Sequence, residues 1–196
     1  MAKITNILMV GVGGQGIVLA SDIMASAALF AGYDVKKSEI HGMSQRGGSV
    51  FSHVRFGKKV FSPVIPEGKA DIVVSLEEME TLRWLNYVHA GTKIIVAKTR
   101  IMPPNIEKYP EGIEQVLQKQ FVDIKIVDPL HIQEKTGSAK VINTALLGLV
   151  STFLDFNDEA WQRSLQANVP EGTYEKNQKA FEIGKSYETE MGRGNL

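Results

Sequence analysis

A short apolar run, Ile4–Val10, leads directly into Gly11-Val12-Gly13-Gly14-Gln15-Gly16, and that hexapeptide into Ile17–Ala31, where Val18, Ile23, Ala27 and Phe30 stand among small residues. A buried strand, a glycine turn and a helix pressed closely on a sheet are the reading that fits, with Gly32 as the helix stop. The spacing G-x-G-x-x-G constrains the fold more than anything else in the chain. It needs backbone that can take positive φ, and it aims the free N–H groups of a helix N-terminus at whatever occupies the turn. Three occupants remain open on this motif alone: a phosphate or cofactor, a tight turn or subunit contact that binds no small molecule, and NAD. The NAD reading requires an acidic residue about 20 positions further on, at the end of the second strand. Glu39 stands near that place, but Lys36 and Lys37 crowd the same strand and a second glycine loop follows at once.

The rest of the chain alternates strand and helix. Strands are predicted at Asp34–Ile40, Val50–Phe56, Asp71–Leu76, Lys93–Ala97 and Asp123–Val127, with helices at Glu77–Val88 and Glu111–Gln120 and a proline-containing loop at Met102–Pro110. Val50–Phe56 alternates, and Gly57-Lys58-Lys59 is expected to turn it back into Val60–Val64 as a hairpin whose second arm, with Pro63, is an edge strand. Val141, Ile142, Ala145, Leu146, Leu149, Val150 and Phe153 repeat at helical spacing over two adjacent faces. Such a helix is buried either in the core or by a partner subunit. Asp158–Asn168 and Gly172–Thr189 complete the pattern as helices. The expected fold is α/β: a three-layer Rossmann-like domain with a mostly parallel sheet, a β-hairpin insertion and C-terminal helices. A single domain over 1–196 is expected, with a helical extension over about 157–190.

Composition narrows the function. The 22 basic residues balance 22 acidic ones, so the electrostatic footprint of nucleic-acid binding is missing. There are no cysteines, which rules out disulfides, a thiolate nucleophile and any iron–sulfur cluster held by this chain's own thiolates. The N-terminus enters a strand pattern without a signal-like apolar region, and no run of about 18 apolar residues occurs, so a cytoplasmic protein with no membrane partner is expected. The four histidines (41, 53, 89 and 131) do not stand at ligand spacing, and no metal site is expected. The seven methionines read as packing residues, and Glu77-Glu78-Met79-Glu80 as a solvated first helical turn.

The second glycine loop, His41-Gly42-Met43-Ser44-Gln45-Arg46-Gly47-Gly48-Ser49, is more specific. Arg46 offers a planar fork of donors to phosphate or carboxylate, and the Gly47-Gly48 pair lets backbone N–H groups approach the same anion. If the strands before both loops end at one sheet edge, the two loops face a single crevice. Gly11–Ser21 together with Ser38–Val50 resembles the gamma-type subunit or domain of 2-oxoacid:ferredoxin oxidoreductases. Within that family, the Glu39–Gly48 wording is most similar to members acting on indolepyruvate. The resemblance runs over most of the chain and includes Gly137–Gly148 and Pro170–Gly184, with Asn177, Ala180, Phe181 and Gly184.

The resemblance implies oxidative decarboxylation of an aryl pyruvate with coenzyme A, giving an acyl-CoA and carbon dioxide and reducing ferredoxin. It places thiamine diphosphate and the iron–sulfur clusters in a large catalytic partner subunit, so that this chain is inactive alone. The residues agree, since the chain has no cysteine and no Gly-Asp-Gly segment of the kind that opens a thiamine-diphosphate site. Gly11, Gly13, Gly14, Gln15 and Gly16 of the first loop and Gln45, Arg46, Gly47 and Gly48 of the second are the candidate binding residues, with His41 as a candidate substrate contact. Two rival readings stay open: an independent NAD(P)-binding oxidoreductase or redox sensor, and a non-enzymatic assembly module.

Overall fold

A computed structural model of the protein describes residues 3–41, 48–103 and 107–193, the side chains of 41 and 188–193 aside. Six strands, β1 (Ile4–Val12), β2 (Asp34–His41), β3 (Ser49–Gly57), β4 (Ile72–Ser75), β5 (Lys93–Ala97) and β6 (Ile124–Val127), form one sheet in the order β2-β3-β1-β4-β5-β6. The pairs β1–β4, β4–β5 and β5–β6 are parallel, whereas β3 runs antiparallel between β1 and β2. The helices are α1 (Ile17–Phe30), α2 (Glu78–Arg83), α3 (Ile113–Gln120), α4 (Pro129–Thr136), α5 (Ile142–Ser151), α6 (Asp158–Asn168) and α7 (Tyr174–Arg193). Among the described residues, no helix is long and apolar enough to cross a membrane.

The sheet is buried on both faces. Residues Ile7 to Val10 of β1 are fully inaccessible, as expected of a central strand that reads as a continuous apolar run. Ile7 and Met9 point toward α1, α5, α6 and α7, while Leu8 and Val10 join Val73 and Ile94 under Ile65, Ala70, Trp84 and Tyr87. The alternation of β3 is as the sequence predicts, with Val50, Val54 and Phe56 in the first core and Phe51 against the second.

The hairpin is a correction. The arm that pairs with β3 is β2, in the register His41↔Val50 to Asp34↔Gly57, and residues 58–65 form no strand. Side chains satisfy their backbone instead. Val60 N donates to Asp34 Oδ2 (2.9 Å), Ile65 N donates to His53 Nδ1 (3.2 Å), and Arg55 Nη1 donates to the carbonyls of Ser62 (2.8 Å) and Val64 (2.9 Å). With these groups already partnered, the segment folds down over the sheet as a cover rather than extending it.

The predicted helix over Glu77–Val88 is shorter than its pattern: α2 ends at Arg83 and a 3₁₀ turn follows at Leu85–Tyr87. Helix α4 was not predicted, although its signals stand in the sequence. Asp128 caps it by accepting from Leu130 N (2.9 Å), Pro129 opens it and Gly137 ends it in the left-handed region.

Helix α5 is buried over its whole length from Asn143 to Ser151, which decides between core and partner in favour of the core. It crosses α7 at two glycines. A Cβ at Gly148 would stand 1.9 Å from the carbonyl oxygen of Phe181, and one at Gly184 would stand 1.8 Å from that of Ala145. The two backbones are in direct contact there, and no larger residue fits.

Candidate site at the carboxyl ends of the strands

In the register Val12↔Ser49 and His41↔Val50, β1 and β2 end, and β3 begins, at one edge of the sheet. The first glycine loop and the described end of the second, Gly48 and Ser49, therefore lie at that edge, and Gly13 N donates to the carbonyl of Gly48 (2.9 Å). Residues Gln45, Arg46 and Gly47 and the side chain of His41 lie outside the described residues.

The first loop is a tight turn: Gln15 N donates to Val12 O (3.1 Å), with Gly14 at φ 100 in the position that a type II turn reserves for glycine. Gly16, at φ 80, precedes α1 without a side-chain cap. The Gln15 side chain is engaged with the backbone at both ends. Its Oε1 accepts from Val12 N (2.8 Å) and its Nε2 donates to Leu76 O (2.6 Å), tying the turn to the exit of β4. Gln15 thus shapes the loop and does not extend from it. Gly11 has no room for a side chain, because a Cβ would meet Ile17 Cδ1 at 2.7 Å and Gln15 Oε1 at 2.8 Å. A Cβ at Gly14 would meet nothing within 4 Å, which leaves that backbone open on its outer side.

The carboxylates at the start of α2 overturn the solvated-turn expectation: Glu77, Glu78 and Glu80 are 1, 2 and 4% exposed. Their partners explain the burial. Glu77 caps α2 by accepting from Glu80 N (2.8 Å), and it also accepts from Ile101 N (3.2 Å) and Tyr109 Oη (2.5 Å). Burial, and then the Glu77 carboxylate that accepts its hydrogen bond, push the Tyr109 hydroxyl well above its ordinary pKa. Glu78 holds Arg100 Nε (3.1 Å). Glu80 accepts from Ser49 Oγ, from Trp84 Nε1 (3.3 Å) and from Arg83 Nε (3.1 Å). The residue at which the second glycine loop enters β3 is therefore anchored to a buried carboxylate.

Between the first loop and the chain entering α5 lies a cleft of about 440 Å³, lined by Gly14, Gln15, Gly16, Thr99, Lys140 and Asn143 among others. The N-terminus of α1 opens here, with about half a positive charge from the aligned peptides, and Lys140 adds a full one. The nearby Lys98 and Arg100 are paired with Glu114 (2.9 Å) and Glu78. Glu114 stabilises the charged form of Lys98 by a hydrogen bond and by its charge, which raises that ammonium's pKa. An anionic group suits the cleft.

Glu39, on which the NAD reading depends, is not placed to serve it. Strand β3 stands between β1 and β2, so Glu39 is about two strand spacings, roughly 10 Å, from the strand that carries the glycine turn. Its carboxylate accepts from Lys37 Nζ (3.1 Å), which also binds Asp22 (2.5 Å). Sequence reading missed Lys140, Asn143, Thr144 and Glu80 as members of this region. The one available signal was the polar pair Asn143-Thr144 inside an otherwise apolar helical repeat.

A glycine turn between β1 and α1, hydrogen-bonded to Gly48 at the start of the antiparallel strand β3, defines a Rossmann-like α/β protein with a cleft at the carboxyl edge of its sheet. The chain belongs to the pyruvate ferredoxin/flavodoxin oxidoreductase family, whose sequence model matches residues 6–187. Indolepyruvate oxidoreductase subunit IorB of Thermococcus kodakarensis is 36% identical to it over 196 residues, covering 95% of this chain and 96% of that one. Among solved structures, the keto/oxoacid ferredoxin oxidoreductase gamma subunit from Geobacter sulfurreducens superposes with a TM-score of 0.70 at 24% identity, over 93% of this chain and 95% of that one. The 2-oxoglutarate:ferredoxin oxidoreductase from Magnetococcus marinus gives 0.72 at 18% identity, over 96% of this chain but 31% of the longer one. In that enzyme the same fold is one part of a larger polypeptide.

Proposed function

We propose that the chain, as one domain with its C-terminal helices, is the small subunit of an indolepyruvate-type 2-oxoacid:ferredoxin oxidoreductase. The observation that carries this reading is the near end-to-end similarity to a subunit named for indolepyruvate oxidoreduction. The reaction is the conversion of an aryl pyruvate, coenzyme A and two oxidised ferredoxins into the acyl-CoA, carbon dioxide, a proton and two reduced ferredoxins. The carbon–carbon bond to the carboxylate breaks, a thioester bond forms, and two electrons leave through the ferredoxins. Thiamine diphosphate and iron–sulfur clusters supply that chemistry from the large catalytic subunit, and the chain is inactive without it.

This chain's part is to receive the phosphates of coenzyme A at the carboxyl edge of the sheet. Backbone N–H groups of Gly14 and Gly16 and the first turn of α1 face them, while Gly13, whose N–H is held by the Gly48 carbonyl, fixes the loop. Lys140 stands beside the first loop and Arg46, flanked by Gln45, Gly47 and Gly48, on the second. Gly11 and Gln15 hold the first turn in shape. The cleft supports this reading because it joins open glycine backbone, a helix N-terminus and a lysine.

The test is to recover the tagged chain from its native cytoplasm and assay the eluate for reduction of a viologen dye dependent on both indolepyruvate and coenzyme A. Recovery of a large iron–sulfur and thiamine-diphosphate partner with that activity supports the proposal. Recovery of the chain alone, inactive and binding NAD(H), overturns it. In the active complex, Arg46→Ala is expected to raise the KM for coenzyme A about tenfold or more while leaving the KM for the 2-oxoacid unchanged, as loss of a charge-assisted phosphate contact requires.

A further inference from the structure

A line of buried polar groups runs from the start of α7 to the first glycine loop through an otherwise apolar core. Asn177 Nδ2 donates to the carbonyl of Thr173 (2.9 Å) and to its Oγ1 (3.1 Å). Asn177 Oδ1 accepts from Thr144 Oγ1 (2.7 Å). Thr144 N donates to Asn143 Oδ1 (2.9 Å), and Asn143 Nδ2 donates to the carbonyl of Gly16 (3.1 Å). Asn143, Thr144 and Asn177 are 2, 0 and 3% exposed.

Burying three polar side chains in a helix crossing is costly unless each is satisfied, and here each one satisfies the next. The chain of bonds also has a direction. Thr144 N holds the Asn143 amide by its oxygen, so its nitrogen is left to face Gly16. That carbonyl accepts from Ala20 N as well (3.0 Å), so it is the peptide from which α1 is launched. The Asn143 amide occupies the volume that a side chain at Gly16 would need, since a Cβ there would lie 2.5 Å from Asn143 Nδ2. Asn143 lines the cleft itself, three residues beyond Lys140 on the same segment.

We infer that Asn143, oriented by Thr144 and Asn177, is a positioning residue: it holds the Gly16 peptide so that the first-turn N–H groups of α1 face the cleft. The part of this inference that concerns coenzyme A rests on the function proposed above; the part that concerns the loop does not. Thr144 and Asn177 act through Asn143 and touch no ligand. Their effects on the cleft are expected to follow that of Asn143 in kind and to be smaller.

Hydrogen exchange on the full chain, paired with steady-state kinetics of the purified complex, tests both parts. With Asn143→Ala, the amides of residues 14–19 are expected to exchange about tenfold faster, the effect of losing one net hydrogen bond, while those of β5 keep their wild-type rates. Thr144→Val, which keeps the backbone N that holds Asn143 and removes only the hydroxyl that donates to Asn177, is expected to give a smaller rise in the same amides, and Thr144→Ser to restore them. Asn143→Asp, which keeps the shape but replaces the donor to the Gly16 carbonyl by an acceptor, is expected to give a rise like that of Asn143→Ala. Thr144→Val also serves as the second variant if Asn143→Ala does not fold. In the complex, Asn143→Ala is expected to raise the KM for coenzyme A and leave that for the 2-oxoacid unchanged, a split that general destabilisation does not produce. Wild-type exchange at 14–19 in both folded variants overturns the inference, as does an equal rise in β5. Faster loop exchange with an unchanged KM for coenzyme A supports the positioning role and overturns the coenzyme A assignment instead.

Discussion

The glycines of this protein serve opposite ends in two regions. At the α5–α7 crossing, Gly148 and Gly184 have ordinary helical backbone, and what excludes a side chain is the neighbouring main chain, less than 2 Å from where a Cβ would be. At the first loop, Gly14 has free space on its outer side and what excludes a side chain is its own φ of 100. Gly16 combines both limits, with φ 80 and the Asn143 amide in the Cβ position. One residue type thus brings two helices together in the core and keeps backbone open at the edge. Only the second use leaves N–H groups available to a ligand.

Three substitutions to alanine separate the two uses, in decreasing order of expected cost. Gly184→Ala should be the most damaging. Alanine would favour an isolated helix by about 1 kcal/mol, yet the methyl must displace the main chain of α5, and overpacking of this kind costs about 3 kcal/mol or more. A denaturant titration showing Gly184→Ala within about 1 kcal/mol of wild type would break the comparison. Gly16→Ala is expected to cost about 2 kcal/mol, from left-handed backbone and from displacement of the Asn143 hydrogen bond together. Gly14→Ala should cost only about 1 kcal/mol, the backbone term alone, because its Cβ enters open space. If Gly14→Ala proved as costly as Gly16→Ala, the Asn143 contact would carry no energy.

Further substitutions extend the comparison to close fits made by side chains. Glu80→Gln keeps the volume but removes the charge that accepts from Ser49, Trp84 and Arg83. A loss of about 2 kcal/mol is expected, with faster proteolysis near the second loop as the confirming sign. The smallest effect should be a pH dependence at His53. Burial, with the charge of Arg55 adding to it, lowers the pKa of this imidazole in the fold, where its Nδ1 accepts from Ile65 N. A lowered value means that the unfolded chain binds the proton more readily. The stability contributed by neutral His53 is therefore complete above the unfolded value of about 6.5 and is lost as the pH falls through the lower folded value. Urea midpoints should drop more between about pH 7.5 and pH 5.5 for wild type than for His53→Gln; equal drops would remove His53 from the account.

The parts of this architecture that depend on local pattern were legible in the sequence. Apolar continuity marked β1 and the other parallel strands, alternation marked β3, and the spacing of the first loop marked a strand–turn–helix. Even α4, which apolar periodicity does not reveal, carries its capping residues Asp128, Pro129 and Gly137 in plain order. The errors fell where a choice of partner was involved. Residues 60–64 have the pattern of a hairpin arm, but Val60 N, the carbonyls of Ser62 and Val64 and the following Ile65 N are bound by the side chains of Asp34, Arg55 and His53 and not by the backbone of β3. Glu77, Glu78 and Glu80 look like a solvated helix start because acidic residues suit one; only the positions of Tyr109, Arg100 and Ser49 make them buried anchors.

By itself, the sequence determined the α/β class, the two glycine loops, the absence of cluster-binding thiolates and the kinship that those loops announce. Tertiary structure decided which strand pairs with β3, that β1 and β2 end and β3 begins at one sheet edge, and that Asn143 reaches the Gly16 carbonyl from 127 positions away. The division has a physical cause. Periodicity and turn chemistry are set by steric preferences within a few residues, whereas the partner of a buried polar group is set by which distant surfaces the whole chain brings into contact.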